Sequence, residues 1–225
     1  MAKDSSHRGI ALAAIAGAVL LFAGTYLHPM QADPNNAVAA FEEYAADRHW
    51  IAAHLLQFAG AASIVAALVL LGRVLAGGPA ATVAALAGAG AVAALACAAA
   101  LQAVDGVALK AMVAAWATAV PPTKDALFAA AYAVRQVEIG LATFASLLFG
   151  VTTALFGIAL WIDRRFPKWL GAWAIVSGAG TVATGITIAY SGFSPQTMTI
   201  EMPSSALLLL WLVALGVFSS RHRAR

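Results

Sequence analysis

The sequence predicts an all-α polytopic membrane bundle of six transmembrane helices, with short amphipathic helices in its outer connections. Three observations carry this reading. Only 10% of the 225 residues are charged, whereas a soluble domain carries about 25%. Hydrophobic residues make up 62%. The apolar residues also fall into separate long blocks, and about 20 apolar residues span the hydrocarbon core as a helix. A helix satisfies its own backbone hydrogen bonds, which lipid cannot do for it.

Charged residues bound each block within a single integral membrane domain, 1–225. Arg8 and Asp33 enclose the first span, about 9–28. Its basic start and the small residue Ala32 resemble a signal peptide, but the apolar stretch is longer than a signal core, so a retained helix is expected. The second span, about 50–72, lies between Arg48 and Arg73. The third, about 79–104, runs up to Asp105, and the fourth, about 138–162, lies between Glu138 and Asp163. The fifth, about 168–190, starts at Lys168, and the sixth, about 202–220, lies between Glu201 and Arg221.

Two connections are long. In the first, Pro34 is placed to open a short helix whose Val38, Phe41 and Tyr44 form an apolar stripe, as in a helix lying on a membrane or capping a bundle. In the second, Leu109, Met112, Val113 and Trp116 recur at helical spacing until Pro121 and Pro122 stop the helix. A further helix begins near Thr123 to Asp125 and runs into span four, carrying Arg135 and Glu138 above the hydrocarbon.

Orientation follows from Lys and Arg. With the N-terminus in the cytoplasm, Lys3, Arg8, Arg73, Arg164, Arg165, Lys168, Arg221, Arg223 and Arg225 are inside, nine of the 13 basic residues. The long connections and their four basic residues are then outside. The expected location is the inner membrane of a bacterium, multi-pass, with both termini cytoplasmic. The basic residues cluster at helix ends, so the net charge of +3 implies no nucleic-acid partner. Trp50, Tyr26, Tyr132 and Tyr190 are expected at the outer interface, Trp161, Trp169 and Trp173 at the inner one. Paired glycines such as Gly88 and Gly90, Gly150 and Gly157, and Gly178 and Gly185 permit close helix packing. Cys97 stands alone in an apolar run, so no disulfide or cysteine metal framework exists.

The outer ends of spans two to four hold a concentration of polar side chains: His54, Gln57, Gln102, Asp105, Lys110, Arg135 and Glu138, with Gln136 at a similar height. Such groups near a bilayer are costly unless partnered or facing water. Arg135 and Glu138 are three apart and share a helix face. Asp105 and Lys110 are five apart, about 140° from each other on an ideal helix, so each should meet another element. Asp105 with Arg135 and Lys110 with Glu138 are the expected pairs. Three readings stay open: solvated loop charges, an ion-pair clamp, or a ligand or catalytic pocket.

No metal site is expected. His49 and His54 are five apart, not the four of a helical zinc pair, although Asp47 and Glu43 lie nearby. No cofactor is expected either; haem between His28 and His54 is the alternative the histidines offer. Phosphate-loop, nucleophile-elbow and HExxH patterns are absent. Spans four to six show no mid-membrane charge and the halves do not repeat, which argues against a secondary transporter.

The runs WIAAHLLQFAG, VDGVALKAMVAAWA, VRQVEIG and RRFPKWLGAWAIVSG resemble a family of small bacterial six-helix membrane proteins, a domain of unknown function, over residues 8–193. The resemblance implies an integral inner-membrane protein and carries no activity. The expected function is binding of a small or lipidic ligand, or of a membrane protein partner, through the outer polar cluster. The alternatives are an intramembrane enzyme acting on a lipid or isoprenoid, with Asp105, Glu138 and His54 as acid–base groups, and a haem-binding or accessory subunit of a larger complex.

Overall fold

The computed structural model describes residues 2–221, with side chains from Ser5 onward. Lys3 and Asp4 side chains, and His222, Arg223 and Arg225, lie outside the described residues. The described chain is helical, and six of its helices are long and apolar enough to cross a membrane. They are α1 (Ala2–Leu27), α3 (Trp50–Leu75), α4 (Ala81–Gln102) with its continuation to Thr118, α6 (Thr123–Ile162), α7 (Lys168–Ser191) and α8 (Pro195–Arg221). The short α2 (Ala37–Ala46) lies in the first long connection. Asn36, not Pro34, begins it: the Asn36 side chain accepts from the Ala39 N–H at 3.3 Å, satisfying a free donor of the first turn.

The six helices close into a ring. α1 packs on α3, α3 on α4, α4 on α6, α6 on α7, α7 on α8, and α8 returns to α1. The interior is filled by Leu68, Leu71, Leu75, Phe156, Leu160, Leu170, Trp211 and Leu215, among others. The α6–α7 contact is close, because Gly157 and Gly171 each face the other's carbonyl: a Cβ on either would come within 2.7 Å of backbone oxygen. Gly88 faces open space and plays no such part, whereas Gly90 abuts Thr152.

Two helices overshoot the others at one end. α6 has 40 residues, about 60 Å at 1.5 Å per residue, roughly twice the hydrocarbon thickness. Beside it, α4 passes without a break into a π-helical turn (Ala103–Leu109) and then α5 (Lys110–Thr118). α2 lies against this extension. Phe41 and Tyr44 are buried with Trp50, Leu109, Val113 and Trp116 in a second core, while Val38 is exposed.

Candidate functional site

The π-helical turn sets the site. A residue inserted into the α-helical ladder turns the following side chains, and such turns recur at functional sites. Here the turn carries Asp105 inward, toward α3. Its Oδ2 lies 2.9 Å from His54 Nε2. Gly106 makes this approach possible: a Cβ there would stand 2.6 Å from the His54 Cβ. Trp50 secures the same turn, donating from its indole N–H to the Asp105 carbonyl at 3.1 Å. Trp50 is therefore buried inside the site, not at the membrane interface where its type suggested.

His54 is 2% exposed. Its Nδ1 lies 2.6 Å from the Trp50 carbonyl, and a carbonyl only accepts, so this nitrogen carries a proton. Nε2 is left to face Asp105. His28, just past α1, is held in the same way, its Nδ1 donating to the Pro29 carbonyl at 2.8 Å. The His28 and His54 rings are 5.1 Å apart, and the Trp50 ring lies 4.8 Å from the first and 4.6 Å from the second. One nitrogen of each histidine and one Asp105 oxygen all fall within 4.8 Å of one another. Burial lowers the His28 pKa from its ordinary value, which favours a neutral ring.

Arg135 and Glu138 form the second half of the cluster. The Arg135 Nη1 donates to both carboxylate oxygens of Glu138 at 2.8 Å, and both residues are buried. The guanidinium stacks over the rings of Tyr44, 5.5 Å away, and Phe193, 4.8 Å away. Tyr44 also packs on Trp50 at 4.5 Å and His28 at 6.2 Å, so it joins the two halves. Burial pushes the Tyr44 phenol up to about 12, against the pull of Arg135.

Both expected cross-pairs are replaced. Arg135 pairs along its own helix with Glu138, and Asp105 pairs with His54. Lys110 meets no carboxylate; its Nζ donates to the backbone carbonyls of Tyr44, Ala45 and Asp47. Those are the free carbonyls at the C-terminus of α2, where a cation is favoured, so Lys110 pins α2 in place. Gln102 donates to Gln57 at 3.2 Å one layer below His54, and Gln136 is exposed. Glu43 and Asp47, the other carboxylates near the histidines in sequence, accept from the backbone N–H groups of Gln31, Ala32 and His49 instead.

Two buried oxygens in this region, Asp105 Oδ1 and Gln102 Oε1, have no hydrogen-bond partner among the described residues. A groove of about 190 Å³ opens beside them between α3 and the π-helical turn. His54, Gln102 and Gly106 line it together with Ile51, Leu55 and Val107, which are exposed by half or more of their surface. Sequence reasoning missed the roles of Tyr44 and Trp50. The signal available was the place of Tyr44 on the apolar stripe with Phe41 and the position of Trp50 one turn from His54.

A family model described as Domain of unknown function (DUF4386) matches residues 9–218, so the chain belongs to that family. No curated protein and no solved structure matches it.

Proposed function

We propose that this member of the DUF4386 family binds an amphiphile, its polar head against His54 and Gln102 and its tail along the α3 groove. The groove is the observation that supports this reading. Its apolar walls face outward at the depth of a membrane-spanning helix, so a ligand enters sideways from lipid. About 190 Å³ is smaller than a drug-sized pocket of roughly 300–1,000 Å³, so the site encloses a head group and the first carbons only. The partnerless Oε1 of Gln102, which lines the groove, calls for a head that donates hydrogen bonds, a hydroxyl or an ammonium. We place this end on the outer side of the inner membrane of a bacterium, with both termini cytoplasmic; the excess of Lys and Arg at the opposite end supports that orientation.

The full chain in nanodiscs tests the proposal. Native mass spectrometry against lipids with hydroxyl, ammonium and choline heads should show preferential retention of the donating heads. Gln102→Leu and Val107→Trp should each reduce it. Equal retention of all heads, or retention unchanged in both variants, refutes the reading.

One feature favours a second reading, an intramembrane enzyme. The His54–Asp105 pair, with Nδ1 anchored to a carbonyl, has the orientation of an acid–base dyad. Conversion of the retained amphiphile that stops in Asp105→Asn supports it; an amphiphile recovered unchanged counts against it.

A further inference from the structure

We propose that His28, His54 and Asp105 form a binding site for a transition-metal dication, with the amphiphile groove opening on its free coordination position. The inference deepens the amphiphile reading and rests on it only for that open position.

Four observations converge. First, two imidazole nitrogens and a carboxylate oxygen from three separate segments lie within 4.8 Å of one another. Zinc bonds of about 2.0–2.2 Å in a tetrahedron set neighbouring ligand atoms roughly 3.3 Å apart, so small side-chain rotations gather the trio. The closest pair, His54 Nε2 and Asp105 Oδ2, is already at 2.9 Å.

Second, both histidines have the same outer support. Each Nδ1 donates to a backbone carbonyl, that of Pro29 or Trp50. At His28 this leaves Nε2 with its lone pair, the arrangement metal-ligating histidines adopt; at His54 the proton shared by Nε2 and Asp105 is released as the metal binds. Third, the Asp105 carboxylate has an oxygen that is buried and partnerless among the described residues, and the π-helical turn and the Trp50 indole hold the residue where it is.

Fourth, two imidazoles and one carboxylate supply three protein ligands, the number found where a metal keeps a position for water or substrate. His54 and Gly106 line the groove, so that position is reached from the amphiphile side. Arg135 and Glu138 neutralise each other and leave the Asp105 charge for the cation. Soft thiolate ligands are absent, and nitrogen with carboxylate oxygen suits Zn²⁺ among the first-row dications, with Co²⁺ as its spectroscopic substitute.

The test uses the full chain in nanodiscs, purified without an oligohistidine tag and stripped with a chelator. Zn²⁺ is added, free metal removed and bound metal counted; Co²⁺ is followed by its visible spectrum. One equivalent per chain is expected, with a four-coordinate Co²⁺ spectrum. His28→Ala and Asp105→Asn should each weaken binding by more than the ~10–100-fold that losing an outer support causes. His49→Ala, an exposed histidine outside the trio, should leave it unchanged. Helical circular dichroism checks that each variant is folded, and His28→Gln replaces His28→Ala if the latter is not. Wild-type protein that retains no metal, or retention unaltered in folded His28 and Asp105 variants, overturns the proposal. Amphiphile retention by the stripped protein is measured in parallel. Amphiphile retention together with no uptake of Zn²⁺ when it is added back refutes the metal site alone, and uptake of Zn²⁺ without amphiphile retention refutes the amphiphile reading alone.

Discussion

An arginine–carboxylate pair lies near each end of the bundle, and the two differ in their burial and in what surrounds them. At the end with short connections, Asp163 and Arg165 are two residues apart. The Asp163 carboxylate accepts from the Arg165 backbone N–H and from two guanidinium nitrogens, at 2.9, 2.9 and 2.6 Å. The Arg165 side chain is 38% exposed. The pair closes its own turn, sits against Gly78 of the facing connection, and leaves no carboxylate oxygen without a donor. At the other end, Arg135 and Glu138 are both sealed in, and around them lie His28, His54 and Asp105 from other segments, with two oxygens that have no partner among the described residues. Burying polar groups without partners costs free energy. A fold needing only a clasp has one in the first pair. The second end carries an unsatisfied cost, which a hydrogen-bond donor or cation bound there would remove.

The largest expected effect comes from dividing the sealed pair. Glu138→Ala leaves Arg135 buried without a counter-charge and should destabilise the protein by about 3–5 kcal/mol, read as a drop in thermal midpoint in detergent. A loss as small as that of the exposed clasp would mean that water reaches Arg135 and that the two ends are alike. Gly106→Val comes next. Its side chain meets His54, overpacking costs about 1–3 kcal/mol, and amphiphile retention should fall more steeply than stability. Lys110→Met removes a charged donor from the last carbonyls of α2, for roughly 1.5–3 kcal/mol at most. Hydrogen exchange should then quicken across Ala37–Ala46 while α6–α8 stay protected.

The smallest effect belongs to the clasp. Arg165 holds the Asp163 carboxyl below its ordinary pKa. A folded-state value below the unfolded one means the stabilisation is complete above the ordinary carboxylate pKa, about 3.9, and fades as pH falls through the depressed value. Because Arg165 is partly exposed, Asp163→Asn should cost about 0–1 kcal/mol. Its melting midpoint should converge with that of the wild type at acid pH. A larger, pH-independent loss would show that the Gly78 contact, not charge, carries the clasp.

Residue by residue, the sequence made the candidate site visible only in part. Arg135 and Glu138 were legible as partners on one face because three residues along a helix make neighbours, yet the cross-pairs with Asp105 and Lys110 were preferred. That preference assumed an ordinary α-helical angle between Asp105 and Lys110. The π-helical turn over Ala103–Leu109 changes the angle, and no local pattern announces it in so apolar a stretch. His28 entered only as half of a haem pair, since 26 residues separate it from His54. Trp50 was assigned to the interface by residue type, and only packing reveals that its indole reaches Asp105.

By itself the sequence determined the solvent, the helices and their number. Lipid admits only a backbone that bonds to itself, and about 20 apolar residues between charges have one way to cross. It also determined which end is polar. Tertiary structure decided which polar groups meet: His28 with His54 and Asp105, Lys110 with the end of α2, Tyr44 between the two halves of the cluster. Those meetings depend on ring closure, on the glycine that lets the π-helical turn touch α3, and on α2 lying over the top. They are distances between segments far apart in the chain, and periodicity within a helix carries no information about them.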